Sequence, residues 1–166
     1  MANIKEIVNS LMEGFKEFDP VNVEYGKDQV IGFPNDLNGC DLVIYVKNKE
    51  ITLTYGYHHA HFAVDDIESC LIHGKKLLSG EYASVEYFSE GKDLFGGARL
   101  ATTCVFNTAE DVVNCYAVGN EKVAQGLYEL IKRGAVNVRA VSFDNKVNVI
   151  ASVYYDGNEY KIEKLK

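Results

Sequence analysis

The chain reads as an α+β protein, a single domain spanning residues 1–166, with a mainly antiparallel β-sheet and about three helices packed on it. Three observations predict this class. Three segments repeat apolar residues at helical spacing behind capping residues; runs of β-branched and aromatic residues lie between them; and the links between those runs are too short for parallel crossovers. With 166 residues and 47% hydrophobic content, such a chain buries roughly 70% of the surface its unfolded form exposes, enough for one core.

The first helix starts at Asn3, with Glu6 three residues on, and carries Ile4, Ile7, Val8, Leu11, Met12 and Phe15 until Asp19-Pro20 stops it. The second lies in DDIESCLIHGKKLLSGE, where Asp65 is the expected cap, Glu68 follows, and Ile67, Leu71, Gly74 and Leu78 form the apolar stripe up to Gly80. In the third, Asn120 caps, Val123, Leu127, Leu130 and Ile131 face inward, and Lys132, Arg133 and Gly134 close the helix.

Strands are expected at 21–25, 29–33, 41–46, 50–62, 82–88 and 99–106, all rich in β-branched and aromatic residues. The links KNKE and SEGKD suit hairpins, since a parallel crossover needs about a dozen residues. After the third helix come three alternating strands, joined at Asp144-Asn145 and Asp156-Gly157. Residues 109–118 are two-sided. Thr108 with Asp111 can open a short helix, whereas Val112, Val113 and Tyr116 can extend a β-meander, and the strand is the preferred reading. GFPNDLNG is a turn-rich loop too short to separate domains, and no internal repeat aligns.

Composition narrows the function classes. Lys and Arg total 17 against 24 Asp and Glu, a formal charge of −7 with a pI near 5.1, so the surface repels phosphate backbones and anionic lipid, and nucleic acid is not an expected partner. No apolar run reaches the length of a membrane span or a signal core, which points to a soluble, cytoplasmic protein. Cys40, Cys70, Cys104 and Cys115 are far apart, form no C-x-x-C pair and read as reduced core residues. Cys115 has no base beside it that would make a thiolate.

Three of the four histidines fall in YGYHHAHF, residues 55–62. On one continuous strand, His59 and His61 share a face with Tyr55 and Tyr57, while His58, Ala60 and Phe62 take the other. Two imidazoles two residues apart can converge on one divalent ion, and Asp65 is the nearest third ligand, so zinc or another divalent metal at His59, His61 and Asp65 is one expectation. Clustered imidazoles also change charge near their ordinary pKa of about 6.5, a less specific property. A second candidate is Gly96-Gly97 with Arg99, one of three arginines in the chain, which together can receive a carboxylate or phosphate. The third is tyrosine abundance: 11 of them give large contact areas with polar tips.

No nucleophile elbow, phosphate loop or dinucleotide fingerprint is present. The leading expectation is therefore a small binding protein, inhibitor-like or immunity-like, that takes a protein partner or a small-molecule ligand on the surface around Tyr55, Tyr57, His59, His61 and Arg99, with the acidic charge favouring a basic partner. The alternative is a metal-dependent hydrolase or lyase with its ion at His59 and His61. An open sheet edge could also pair with a second copy to make a homodimer.

Overall fold

The computed structural model describes residues 3–25, 28–102, 106–117 and 119–166. They gather into two compact units, one running to Glu81 and including Phe143–Asn145, the other comprising Tyr82–Ser142 and Lys146–Lys166. The α+β class holds, and every strand pairing is antiparallel. The strands divide between two sheets, and among the described residues there are four α-helices where three were expected.

In the first unit, α1 (Ile4–Gly14) begins where the Lys5 N–H donates to Asn3 Oδ1 at 3.1 Å, and it buries Ile7, Val8 and Leu11. A short 3₁₀ turn (Lys16–Phe18) leads into a five-stranded meander: β1 (Val21–Tyr25), β2 (Asp28–Phe33), β3 (Leu42–Val46), β4 (Glu50–Tyr55) and β5 (His58–Ala63), in that spatial order. Alternation decides the faces. Ile31 and Phe33, Leu42, Ile44 and Val46, and Ile51, Leu53 and Tyr55 all point to the buried side, as period-two side-chain placement requires. α2 (Ile67–Leu78) closes this core with Cys70, Gly74, Leu77 and Leu78. Its cap is Asp66, whose carboxylate accepts from Ser69 N at 3.3 Å, one residue beyond the expected Asp65.

Two glycines set how closely these layers meet. A Cβ on Gly14 would lie 2.4 Å from Leu71 Cδ2, and one on Gly74 would lie 2.6 Å from Phe15 Cζ and 3.3 Å from Leu53 Cδ1. Phe15 is itself buried, edge-on to Phe33 with ring centroids 5.2 Å apart. The loop 34–41 is tied by buried Asn35. Its N–H donates to Asp41 (2.8 Å), its side-chain amide donates to the Phe143 carbonyl (2.8 Å), and its Oδ1 accepts from Leu37 (3.1 Å), so a polar side chain resides there without an unmet hydrogen bond.

The second unit has β6 (Ala83–Ser89), β7 (Lys92–Asp93), β8 (Arg99–Ala101), α3 (Ala109–Ala117), α4 (Glu121–Arg133), β9 (Val136–Ser142), β10 (Asn148–Tyr155) and β11 (Tyr160–Lys164). Its sheet runs β11-β10-β9-β6-β7, with β8 also on β6. The three terminal strands and both of their turns are where the sequence puts them. Glu90 (φ 51°) and Gly91 (φ 75°) are the two left-handed residues that a type I′ hairpin needs between β6 and β7. Phe106, Val112, Val113, Leu127 and Ile131 pack with Val85, Tyr87, Val136, Val138, Ala140, Ala151 and Val153.

Residues 109–117 are helix, not strand. Thr108 Oγ1 accepts from Asp111 N (3.1 Å), and Asp111 Oδ2 accepts from Thr108 N (2.8 Å) and Asn107 N (2.9 Å). This reciprocal cap satisfies donors that a strand would have placed in a ladder. Of the expected strand 99–106, β8 covers only its start; Cys104 and the centre of that stretch lie outside the described residues. Cys70 is buried, Cys40 and Cys115 are half-buried, and none of the three is in a disulfide. Among the described residues, no helix is long and apolar enough to cross a membrane.

Candidate functional site on the histidine hairpin

The segment 50–62, expected as one strand, is a hairpin. Tyr55 pairs with His58 across the two-residue loop Gly56-Tyr57, and Gly56 takes φ 59° at the first loop position, where glycine is favoured in a tight Gly-X turn. Antiparallel partners share a face. Tyr55, His58, Ala60 and Phe62 therefore lie on the core side, and His59 and His61 lie outside, opposite Thr54 and Thr52. The expected surface of Tyr55, Tyr57, His59 and His61 accordingly loses Tyr55, which is fully buried with its ring 5.9 Å from that of Phe143. Tyr57 remains exposed at the tip.

On the outer face, the His59 and His61 rings meet edge to face, 5.4 Å apart. His61 Nδ1 lies 3.1 Å from Glu50 Oε2, and Thr52 Oγ1 donates to Glu50 Oε1 at 3.0 Å. His61 is thus oriented by a carboxylate on the neighbouring strand. Among the described residues, no three His, Cys, Asp or Glu side chains are grouped to hold a metal, so His59, His61 and Asp65 are not brought together as a ligand set.

The same outer face continues across the sheet in two rows, Val23-Val30-Tyr45-Thr52-His61 and Val21-Gly32-Val43-Thr54-His59. It is apolar at the β1 end and polar at the β5 end. Val21, Val23 and Tyr45 are exposed by 49%, 48% and 37%, unusual for side chains of this type in one contiguous patch. Val23, Val30, Tyr45 and Asp28 line a hollow of about 450 Å³. Binary alternation in the sequence marks these positions as strand but does not reveal that Val21, Val23 and Tyr45 stay exposed among the described residues.

On the core side, His58 and His73 meet. His58 Nε2 is 2.9 Å from His73 Nε2, the ring centroids are 5.2 Å apart, and the ring planes differ by 20°. The centroid separation exceeds the nitrogen separation by two ring radii, so the nitrogens lie on the line between the rings. The imidazoles therefore meet head to head and nearly coplanar, not face to face, as an N–H···N hydrogen bond requires. Phe62 packs edge-on against His73 at 5.7 Å. Burial, with the charge of Lys76 in support, holds the His73 imidazole below its ordinary pKa.

In the second unit, Arg99 lies 4.9 Å from the centre of the Tyr116 ring, which stacks on Phe95 at 3.8 Å. The amides of Phe95 and Gly96 donate to Asp93 Oδ1 at 2.7 and 2.8 Å. Of the two glycines expected to greet an anion beside Arg99, Gly96 thus already gives its amide to an internal carboxylate, and the guanidinium covers an aromatic face. Glu86, unremarkable in the sequence, is buried on β6 opposite Arg139 of β9.

No protein-family model, curated protein or solved structure matches this chain. Function must be argued from these sites themselves.

Proposed function

We propose that the protein works by binding, and that the outer face of the first sheet receives a basic protein partner. The observation that carries this reading is the exposed patch of Val21, Val23 and Tyr45 beside a hollow lined by Val23, Val30, Tyr45 and the acidic residue Asp28. An apolar floor with one acid beside it suits a Lys or Arg side chain, whose aliphatic stem would cover the valines while its charge met Asp28. The net charge of −7 favours the same partner over a distance and speeds encounter. Thr52, Thr54, His59 and His61 extend the surface with groups that donate and accept hydrogen bonds, as the rim of an interface does. Tyr57 projects from the hairpin tip beside it.

The test is a paired capture with native protein and a Val23→Ser, Tyr45→Ser double variant, followed by titration against each purified protein recovered. The reading expects a basic protein whose affinity falls in the double variant and falls again as salt is raised, with the variant's thermal stability close to that of the parent. Partners that bind the double variant as tightly as the parent would remove this face from the account.

A further inference from the structure

We propose that His58 and His73 form a site for a late first-row divalent metal ion, with zinc as the reference case, each ligating through Nε2. The sequence singles out His59 and His61 for a metal, but the hairpin turns those two outward and brings a different pair together. The Nε2 atoms of His58 and His73 already point at each other 2.9 Å apart. Two nitrogens held about 2.0–2.1 Å from one zinc at a tetrahedral angle lie about 3.3 Å apart, so the pair must open by only a few tenths of an ångström while the rings turn to converge. The broad χ2 minimum of histidine allows such a turn, which falls mainly to His58 because Phe62 packs on the His73 ring.

The scaffold suits a ligand pair. One imidazole comes from β5 and the other from the middle of α2, two regular elements joined by a short link, and the edge of Phe62 limits how the His73 ring can swing. Both histidines are only partly buried, so an ion and its remaining water ligands can reach them. In the metal-free pair, one ring donates its Nε2–H to the other's lone pair. On binding, that ring exchanges with solvent to carry its proton on Nδ1, both Nε2 lone pairs face the ion, and the neutral pair releases no net proton. Imidazole ligands select zinc, copper or nickel over magnesium and calcium. Lys76, one turn along α2 and 3.6 Å from Glu81, opposes a cation here, so Lys76→Gln should tighten binding.

The experiment is a zinc titration of untagged, chelator-stripped protein by calorimetry, with bound metal counted by mass spectrometry after desalting. The expected result is one zinc per chain, an affinity weakened more than about tenfold by His58→Ala and by His73→Ala, unchanged by a His59→Ala, His61→Ala double variant, and no response to magnesium. No zinc taken up by the native protein, or zinc retained by both single variants, overturns the proposal. Should either variant misfold, histidine ¹⁵N spectra of the native protein decide the matter. Zinc must move Nε2 of His58 and His73, and movement confined to His59 and His61 refutes the assignment.

Discussion

Replacing Gly74 with alanine sets two opposing effects against each other. In a helix interior the change gains about 1 kcal/mol of helix propensity. Here the new methyl would sit 2.6 and 2.8 Å from two atoms of the Phe15 ring and 3.3 Å from Leu53, and that ring is itself fully buried and packed edge to face with Phe33. Overpacking of this kind costs about 1–3 kcal/mol, and contact with two ring atoms inside the van der Waals limit belongs in the upper part of that range. The net expectation is a loss of about 1–2 kcal/mol, or a melting temperature lower by roughly 3–6 °C for a chain of this size. Gly126 in α4 supplies the control, since a Cβ there meets nothing within 4 Å, so Gly126→Ala should gain the full propensity term of about 1 kcal/mol. Denaturant unfolding of the two variants reads both numbers. A Gly74→Ala protein as stable as the parent would refute the claim that Phe15 is fixed. Combining Gly74→Ala with Phe15→Leu should cost less than the sum of the two.

The Thr108–Asp111 cap predicts that Asp111→Ala costs about 1 kcal/mol at neutral pH. Hydrogen bonds from the Thr108 and Asn107 amides hold the Asp111 carboxyl below its usual range, so the unfolded chain takes up the proton first as pH falls. The stabilisation is therefore complete above the ordinary carboxylate pKa of about 3.9 and is lost as pH drops toward the folded value; unfolding curves of parent and variant should converge in acid, and a constant gap would contradict the cap. Burial, with Asp66 adding to it, pushes the Cys70 thiol up to about 12, so iodoacetamide at mild alkaline pH should leave Cys70 unmodified while labelling the half-buried Cys40 and Cys115. Peptide mapping that finds Cys70 labelled as fast as Cys40 would show that the α2 core opens.

Local signals carried much of the fold. Asn3 and Asn120 cap their helices, and Asp156-Gly157 turns its hairpin, because each acts through atoms a few residues away. Where two local signals competed, at 109–118, the preferred strand reading was the wrong one. Val112 and Val113 favour a strand by propensity, but the cap at Thr108 and the apolar surface beneath them favour a helix, and burial of both valines settled the outcome. Gly56-Tyr57 lacks the Asn-Gly or Asp-Gly signature, so thirteen residues of strand-like composition concealed a reversal. That one omission put Tyr55 on the wrong face. The meeting of His58 with His73 depends on how α2 lies on β5, and no pattern within either segment encodes it.

The loop at Gly56-Tyr57 also acts as a parity element. Strand side chains alternate with period two, so with the two-residue turn conserved, one residue added between Tyr55 and His58 would take the place of His58 opposite Tyr55, shift the β4–β5 pairing by a single position and exchange the faces of β5. His59 and His61 would turn toward α2, and His58 would turn to solvent. The register set by this turn thus assigns each imidazole of this cluster to water or to the core side, and shifting it by one residue would rewire the surface chemistry of the hairpin without altering a single histidine.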